Sequence, residues 1–232
     1  MSAIGTRHYG ALLAASVVTL ACMALPPPWD VSVSLGFSLV IVLQIRLLKT
    51  EGKHRCFSLL FQLIGWLTMI GLWVWLLTPV ELRNSGLPLL VLLIVFELQA
   101  YPRLVRRLSR ELRVTGDVLY GALAGYVLLG LLASLVTALL ESIHPGSFRG
   151  LIPVPEGGIA DATASSIRQI PFIHMAYFAF ITLTTLGYGD VLPVTPLAKL
   201  SAIVFSALGP IYLAVNMGVL IGRYIQQDQN EM

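Results

Sequence analysis

Apolar runs and polar breaks alternate along this chain, and the length of each run predicts an element. Ala11 to Leu25 is apolar and ends at Pro26-Pro27-Pro28. Val31 to Leu48, Phe57 to Thr78, Val118 to Leu140 and Leu197 to Ile225 each have the length a helix needs to cross a hydrocarbon layer about 30 Å thick. Leu87 to Tyr101 is a shorter fourth span. Phe172 to Leu183 is too short to cross and predicts a re-entrant helix, with Pro171 near its first turn. Glu141 to Ile170 is a long outer loop containing Pro145-Gly146 and a second Pro/Gly cluster at 153–158, and a loop of that length is functional or mobile. The first run has a basic start at Arg7 and His8 and Ala-x-x-Ala near its end, so it also has the look of a cleaved signal peptide; either reading leaves Pro26 outside.

Composition turns this pattern into a class. The chain of 232 residues is 56% hydrophobic and 12% charged, about half the charge of a soluble domain, which makes it a multi-pass, all-α membrane protein. Cys22 and Cys56 lie in an apolar run and a short polar loop and read as free thiols. No Cys/His cluster and no intramembrane Ser/His pair stands out, which argues against a metal centre or an enzyme, and nothing calls for nucleic acid.

The net charge of +3 is small, but its placement sets the topology. Arg7, the group from Arg46 to Arg55, the arginines 103, 106, 107, 110 and 113, and Arg223 all fall in segments that alternate with nearly uncharged ones. The positive-inside rule then gives six spans, both termini cytoplasmic and the segment after Phe172–Leu183 outside. Trp73 and Trp75 suit the outer interfacial belt.

Two placements bear on function. Leu104, Leu108 and Leu112 recur at every fourth position among Arg103, Arg106, Arg107, Arg110 and Arg113, with Pro102 at a helix start. This predicts a basic amphipathic linker helix, residues 102–116, resting on anionic lipid at the inner surface. A voltage-sensing helix is the rival reading, but the apolar fourth span precedes the arginines and contains none, and the second and third spans offer no acid to pair with them. Glu97 is the one acid within an apolar span; an intramembrane carboxylate is a candidate functional group, and the reading weighed above it is that Glu97 reaches the interface or pairs with a basic neighbour such as Arg103. Gly121/Gly125 and Gly218/Gly222 have the spacing for close helix approach. His174 is expected to be solvated or capping.

The densest chemistry lies between the re-entrant helix and the last span, in Thr184-Thr185-Leu186-Gly187-Tyr188-Gly189-Asp190. Gly187 and Gly189 take φ > 0 at little cost, whereas Leu186 and Tyr188 do not. Alternating hand turns successive carbonyls to one side, and four such strands around an axis would form rings of oxygen able to replace the water around a cation. The stretch resembles the selectivity filter of tetrameric potassium channels, usually Thr-Val-Gly-Tyr-Gly-Asp, with Leu186 as the departure. The resemblance covers roughly Val118 to Ile225; the earlier part of the chain matches only in having four apolar segments.

The resemblance implies a homotetramer, one chain supplying a quarter of the pore. It implies potassium as permeant ion at Thr185, Leu186, Gly187, Tyr188 and Gly189, with no other cofactor. Thr184, Tyr177 and Asp190 become support residues, the Tyr177 hydroxyl bonding Asp190 from behind. Gly209, beside Pro210, matches the family's hinge glycine. The chain then divides into 1–101, a four-helix voltage-sensor-like region lacking sensor charges; 102–116, the linker; 117–225, the pore domain; and 226–232, a short cytoplasmic tail. The function expected is passive, potassium-selective, weakly voltage-dependent conduction across the cell membrane. The alternatives are a non-selective cation channel, a potassium transporter subunit, or a non-conducting subunit of mixed tetramers, and a regulatory subunit is left open as a partner.

Overall fold

The computed structural model describes residues 7–25, 30–48, 55–77, 86–109, 111, 115–151 and 172–231. In chain order the elements are α1 (Arg7–Cys22), α2 (Asp30–Leu48), α3 (Arg55–Leu77), α4 (Leu87–Leu108), α5 (Gly116–Ile143), β1 (Phe148–Arg149), α6 (Phe172–Leu183), β2 (Leu192–Pro193) and α7 (Pro196–Glu231). Among the described residues, α2, α3, α4, α5 and α7 are long and apolar enough to cross a membrane. The sixth expected span, α1, has 16 residues and a length of about 24 Å, short of that thickness. The chain forms two compact units, Met1–Leu129 with Ile211–Met232, and Gly130–Pro210.

In the first unit, α1 packs on α2, α2 on α3 and α3 on α4. Gly36 lets α1 and α2 approach closely: a Cβ there would stand 2.6 Å from the Thr19 hydroxyl oxygen. Tyr9, Leu12, Ala15, Ser16 and Thr19 are all buried on α1. Hydroxyls inside these helices bond back to carbonyls four residues earlier, Ser16 to Leu12, Thr19 to Ala15 and Thr68 to Ile64, which satisfies them where no water competes. The first glycine pair is used: a Cβ on Gly121 would press Leu108 and Tyr9, and one on Gly125 would lie 2.2 Å from the Tyr212 hydroxyl, which donates to Ala122 O at 2.7 Å. Gly218 and Gly222 face open space in a single chain.

Three sequence expectations change here. The fourth span and the start of the linker are one helix, α4, which runs through Pro102 to Leu108. Proline at 102 removes only one N–H, and the remaining turns continue because Ala100, Leu104 and Leu108 stay buried. Residues 102–108 thus belong to α4: Arg103, Arg106 and Arg107 ride its end, Arg110 and Arg113 lie outside the described residues, and α5 begins at Gly116. Arg103 stacks over the Phe61 ring at 4.1 Å, and Phe61 stacks on Phe96. Glu97 does not reach an interface: it is 3% exposed, with Gln44 Nε2 donating to its oxygens at 3.2 and 3.0 Å. Arg223 on α7 donates to the carbonyls of Leu108, Ser109 and Glu111, capping the end of α4 that its helix dipole makes negative.

In the second unit, the Glu141 carboxylate at the end of α5 accepts from Gly146 N at 2.7 Å and Phe148 N at 3.0 Å, turning the chain into β1. β1 pairs antiparallel with β2, Phe148 opposite Pro193 and Arg149 opposite Leu192. Val194 N donates to Ser147 O at 2.8 Å, extending the tie. Phe148, Leu151, Phe178, Val191 and Ala198 form the small core beneath, with the Phe148 and Phe178 rings 4.9 Å apart. This core and the ladder hold α6 and the chain leaving it in one body.

Candidate functional site

The seven residues Thr184–Asp190 leave the C-terminus of α6, and the hydrogen bonds there show how the helix stops. Thr185 N donates to Thr182 O at 3.0 Å and Leu186 N to Ile181 O at 2.9 Å. This is a Schellman termination with Thr185 in the left-handed position that glycine usually fills. Its φ is 58°, the one positive value at a non-glycine among the described residues. A β-branched side chain there is strained, by about 1–3 kcal/mol. Thr184 adds to the same cap, its N–H and hydroxyl both donating to Phe180 O, at 2.9 and 2.8 Å.

From this cap the hand alternates. Thr185, Gly187 and Gly189 have φ of 58°, 49° and 81°, while Leu186 and Tyr188 stay negative. The two glycines behave as their residue type dictates; the left-handed threonine carries no sequence signal, since only the hydrogen-bond pattern reveals it. Every residue from Thr184 to Asp190 is exposed in a single chain, Leu186 at 56% and Tyr188 at 68%.

The far end of the segment is anchored from two sides. Tyr177, on the second turn of α6, donates its hydroxyl to Asp190 Oδ2 at 2.6 Å, and Asp190 Oδ1 accepts from Val191 N at 3.0 Å. The Tyr177 hydroxyl first, then the backbone N–H groups, hold the Asp190 carboxyl below its ordinary 3.8. Gly150, just after β1, sits so close that a Cβ would be 2.1 Å from Asp190 O, at a φ of 89°. Glu141, Gly150 and the β1–β2 ladder were not identifiable from residue pattern: strands of two residues have no periodicity to read. His174 is half-buried on α6.

Because the charged form of Asp190 is favoured in the fold, its contribution is present above 3.8 and lost as pH falls through the lowered value. The carboxyl carbon signal of Asp190 is therefore expected to titrate below 3.8 in the folded protein, and to move back towards that value in Tyr177→Phe. A midpoint that stays put in the variant counts against the bond.

Gly209 and Pro210 lie within α7, which continues through both. The sequence expectation treats Gly209 as a soft point. The geometry adds a packing reason: a Cβ on Gly209 would lie 1.9 Å from Leu183 O, the last residue of α6. The boundary between the two compact units falls at Pro210. The described arginines of the basic group, 103, 106 and 107, belong to the other unit. Among the described residues, no group of three or more His, Cys, Asp or Glu side chains could hold a metal ion.

Comparison with known proteins gives three findings. Residues 156–226 match a family described as ion channel. The chain is 34% identical over 68 residues to two-pore potassium channel 5 of Arabidopsis thaliana, covering 29% of this chain and 16% of that protein. It is 45% identical over 47 residues to two pore potassium channel c of Oryza sativa subsp. japonica, covering 20% of this chain and 10% of that protein. The matches thus span less than a fifth of the length of these curated relatives. No solved structure matches the chain.

Proposed function

We propose that the chain belongs, through residues 156–226, to the pore-loop potassium-channel family, and that four copies surround one pore that conducts potassium passively across the cell membrane. The observation that carries this reading is the run of alternating hand from Thr185 to Gly189, leaving a helix C-terminus. The carbonyls of Thr185, Leu186, Gly187, Tyr188 and Gly189, with the Thr185 hydroxyl innermost, replace the hydration shell of the ion. The C-terminal ends of four α6 helices direct their partial negative charge at the cavity below.

Assembly is supported by what a single chain leaves open. Thr184–Asp190 has no cover, and α7 exposes Leu197, Leu200, Ile203, Ile211, Leu213 and Met217. A helix with so little of its apolar surface buried requires lipid or further copies. Leu186 keeps its side chain behind the ring of carbonyls, so the substitution of leucine for valine leaves potassium preferred.

Gly209 and Pro210 form the bending point of the pore-lining helix, and the basic group from Arg103 to Arg113 contacts anionic lipid; both termini are cytoplasmic, with the short α1 crossing as a sixth span where the bilayer thins around it. Voltage dependence is weak. One charge crossing the full field is worth about 2.3 kcal/mol per 100 mV, and the only acidic or basic residue before Pro102 on α4 is Glu97.

Purified full-length protein in liposomes tests the reading. The expected result is a reversal potential that follows the potassium gradient and ignores sodium, with a shallow dependence of open probability on voltage. Equal permeability to both ions would make it a non-selective cation channel. Flux without unitary steps would make it a transporter subunit, and no flux from the chain alone a subunit of mixed assemblies.

A further inference from the structure

Glu97 is a carboxyl group in the middle of an apolar helix, 3% exposed, and Gln44 of α2, itself 1% exposed, is the side chain that meets it. Gln44 Nε2 donates to both carboxyl oxygens, at 3.2 and 3.0 Å. Gln44 Oε1, also buried, accepts no hydrogen bond from the described residues. A charged carboxylate is poorly served here, since among the described residues one neutral amide is its hydrogen-bonding partner and the amide oxygen gains nothing.

Titratable and charged groups on the packed elements are few. α2 carries Arg46, which is exposed. The described side chains of α3, Ser58 onward, include none. On α4 itself, Tyr101 meets Tyr212, and the Arg103 guanidinium lies over the Phe61 ring.

A proton resolves the mismatch. A neutral carboxylic acid donates its O–H to Gln44 Oε1 while Gln44 Nε2 donates one N–H to the acid's carbonyl oxygen, two reciprocal bonds that give each oxygen and the nitrogen of the pair a partner. Only a turn of the amide about its last torsion, which is soft, separates this pair from the geometry seen.

We propose that Glu97 and Gln44 form an intramembrane proton-binding site, with Glu97 held as the neutral acid and Gln44 as its hydrogen-bonding partner. Loss of the proton to water leaves a charge that one amide cannot hold, and α2 and α4 part to hydrate it. α4 is also the helix whose C-terminal carbonyls Arg223 of α7 grips. Movement of α4 is therefore passed to the helix that lines the proposed pore, so proton occupancy biases the gate. That last step rests on the channel reading; the proton site itself does not.

The test is infrared difference spectroscopy of the full-length protein in lipid, from about pH 5 to about pH 9, on wild type, Glu97→Gln and Gln44→Leu. The expected result is a protonated-carboxyl stretch at neutral pH that vanishes in Glu97→Gln and moves to higher frequency in Gln44→Leu, where its hydrogen bonds are gone. A carboxylate signal alone at neutral pH overturns the proposal, as does an acid band that Gln44→Leu does not move. Replacement of the acid band by carboxylate on adding sodium at fixed pH also overturns it, in favour of a cation site. Thermal unfolding guards against a variant that fails to fold. The folded bundle holds a proton that the unfolded chain releases at neutral pH, so wild-type Tm falls as pH rises. Glu97→Gln, neutral and of the same shape, loses that slope; parallel profiles refute the site.

Discussion

Gly209→Ala is expected to disable the proposed pore rather than retune its gate alone. The new Cβ would stand 1.9 Å from Leu183 O and 2.9 Å from Leu183 C, both backbone atoms. No rotamer change relieves such a contact, so α6 and α7 must part by roughly an ångström or more, at an overpacking cost of about 1–3 kcal/mol per chain. Leu183 is fully buried, and the next residue is Thr184, so the displacement passes directly into the Thr184–Asp190 segment. Potassium selectivity and flux should both fall, flux by about tenfold or more, since 1.4 kcal/mol is already a factor of ten. Pro210→Ala introduces no such contact and restores a backbone donor. It should change open probability while sparing selectivity. Reversal potentials and single-channel records of the two variants decide the matter: a Gly209→Ala channel with normal selectivity and altered gating would return Gly209 to a simple hinge.

Gly187→Ala and Gly189→Ala are expected to abolish selective conduction while leaving the fold of the chain intact. Neither position has an atom within 4 Å of an added Cβ in the single chain, so the cost there is conformational rather than steric. An L-residue held left-handed loses about 1–2 kcal/mol, and four copies around one axis lose about 4–8 kcal/mol together. The segment already carries one such penalty at Thr185, which leaves it little tolerance for a second. Circular dichroism of the detergent-solubilised chain should match wild type, and the liposome flux should vanish or lose its preference for potassium. Wild-type selectivity in Gly189→Ala would mean that alternating hand is not what holds the carbonyl rings.

Much of this architecture is legible in the chain because lipid imposes strong rules. The run Phe172–Leu183 coincides with α6 at both ends, bounded by Pro171 and by the threonines that cap it. The pairing of Tyr177 with Asp190 follows from the family resemblance alone; nothing in a spacing of thirteen residues points to it. Pro102 misleads, because proline marks a helix start in water more often than a continuation in a membrane. Glu97 misleads for a related reason: hydropathy shows that a carboxyl lies near a span's end, but not which face it takes, and a partner 53 residues away on α2 settles that. Gly209 reads as a hinge because glycine softens a helix, while the carbonyl that needs its missing Cβ belongs to another element.

The two-residue ladder between β1 and β2 has a consequence for the chain between Leu151 and Phe172. Chain entropy charges a loop for bringing its ends together, and here β1 and the Phe148–Phe178 contact fix one end against the body that begins the next element. Once the ends are pinned, doubling the intervening length costs only about 0.6 kcal/mol. Residues 152–171 can therefore be lengthened, shortened or exchanged with little effect on the position of Asp190, whose neighbours Gly150 and Tyr177 lie on the fixed side of that boundary. A tag inserted between Leu151 and Phe172 is therefore expected to leave the Tyr177–Asp190 bond intact, which the Asp190 carboxyl titration reads directly.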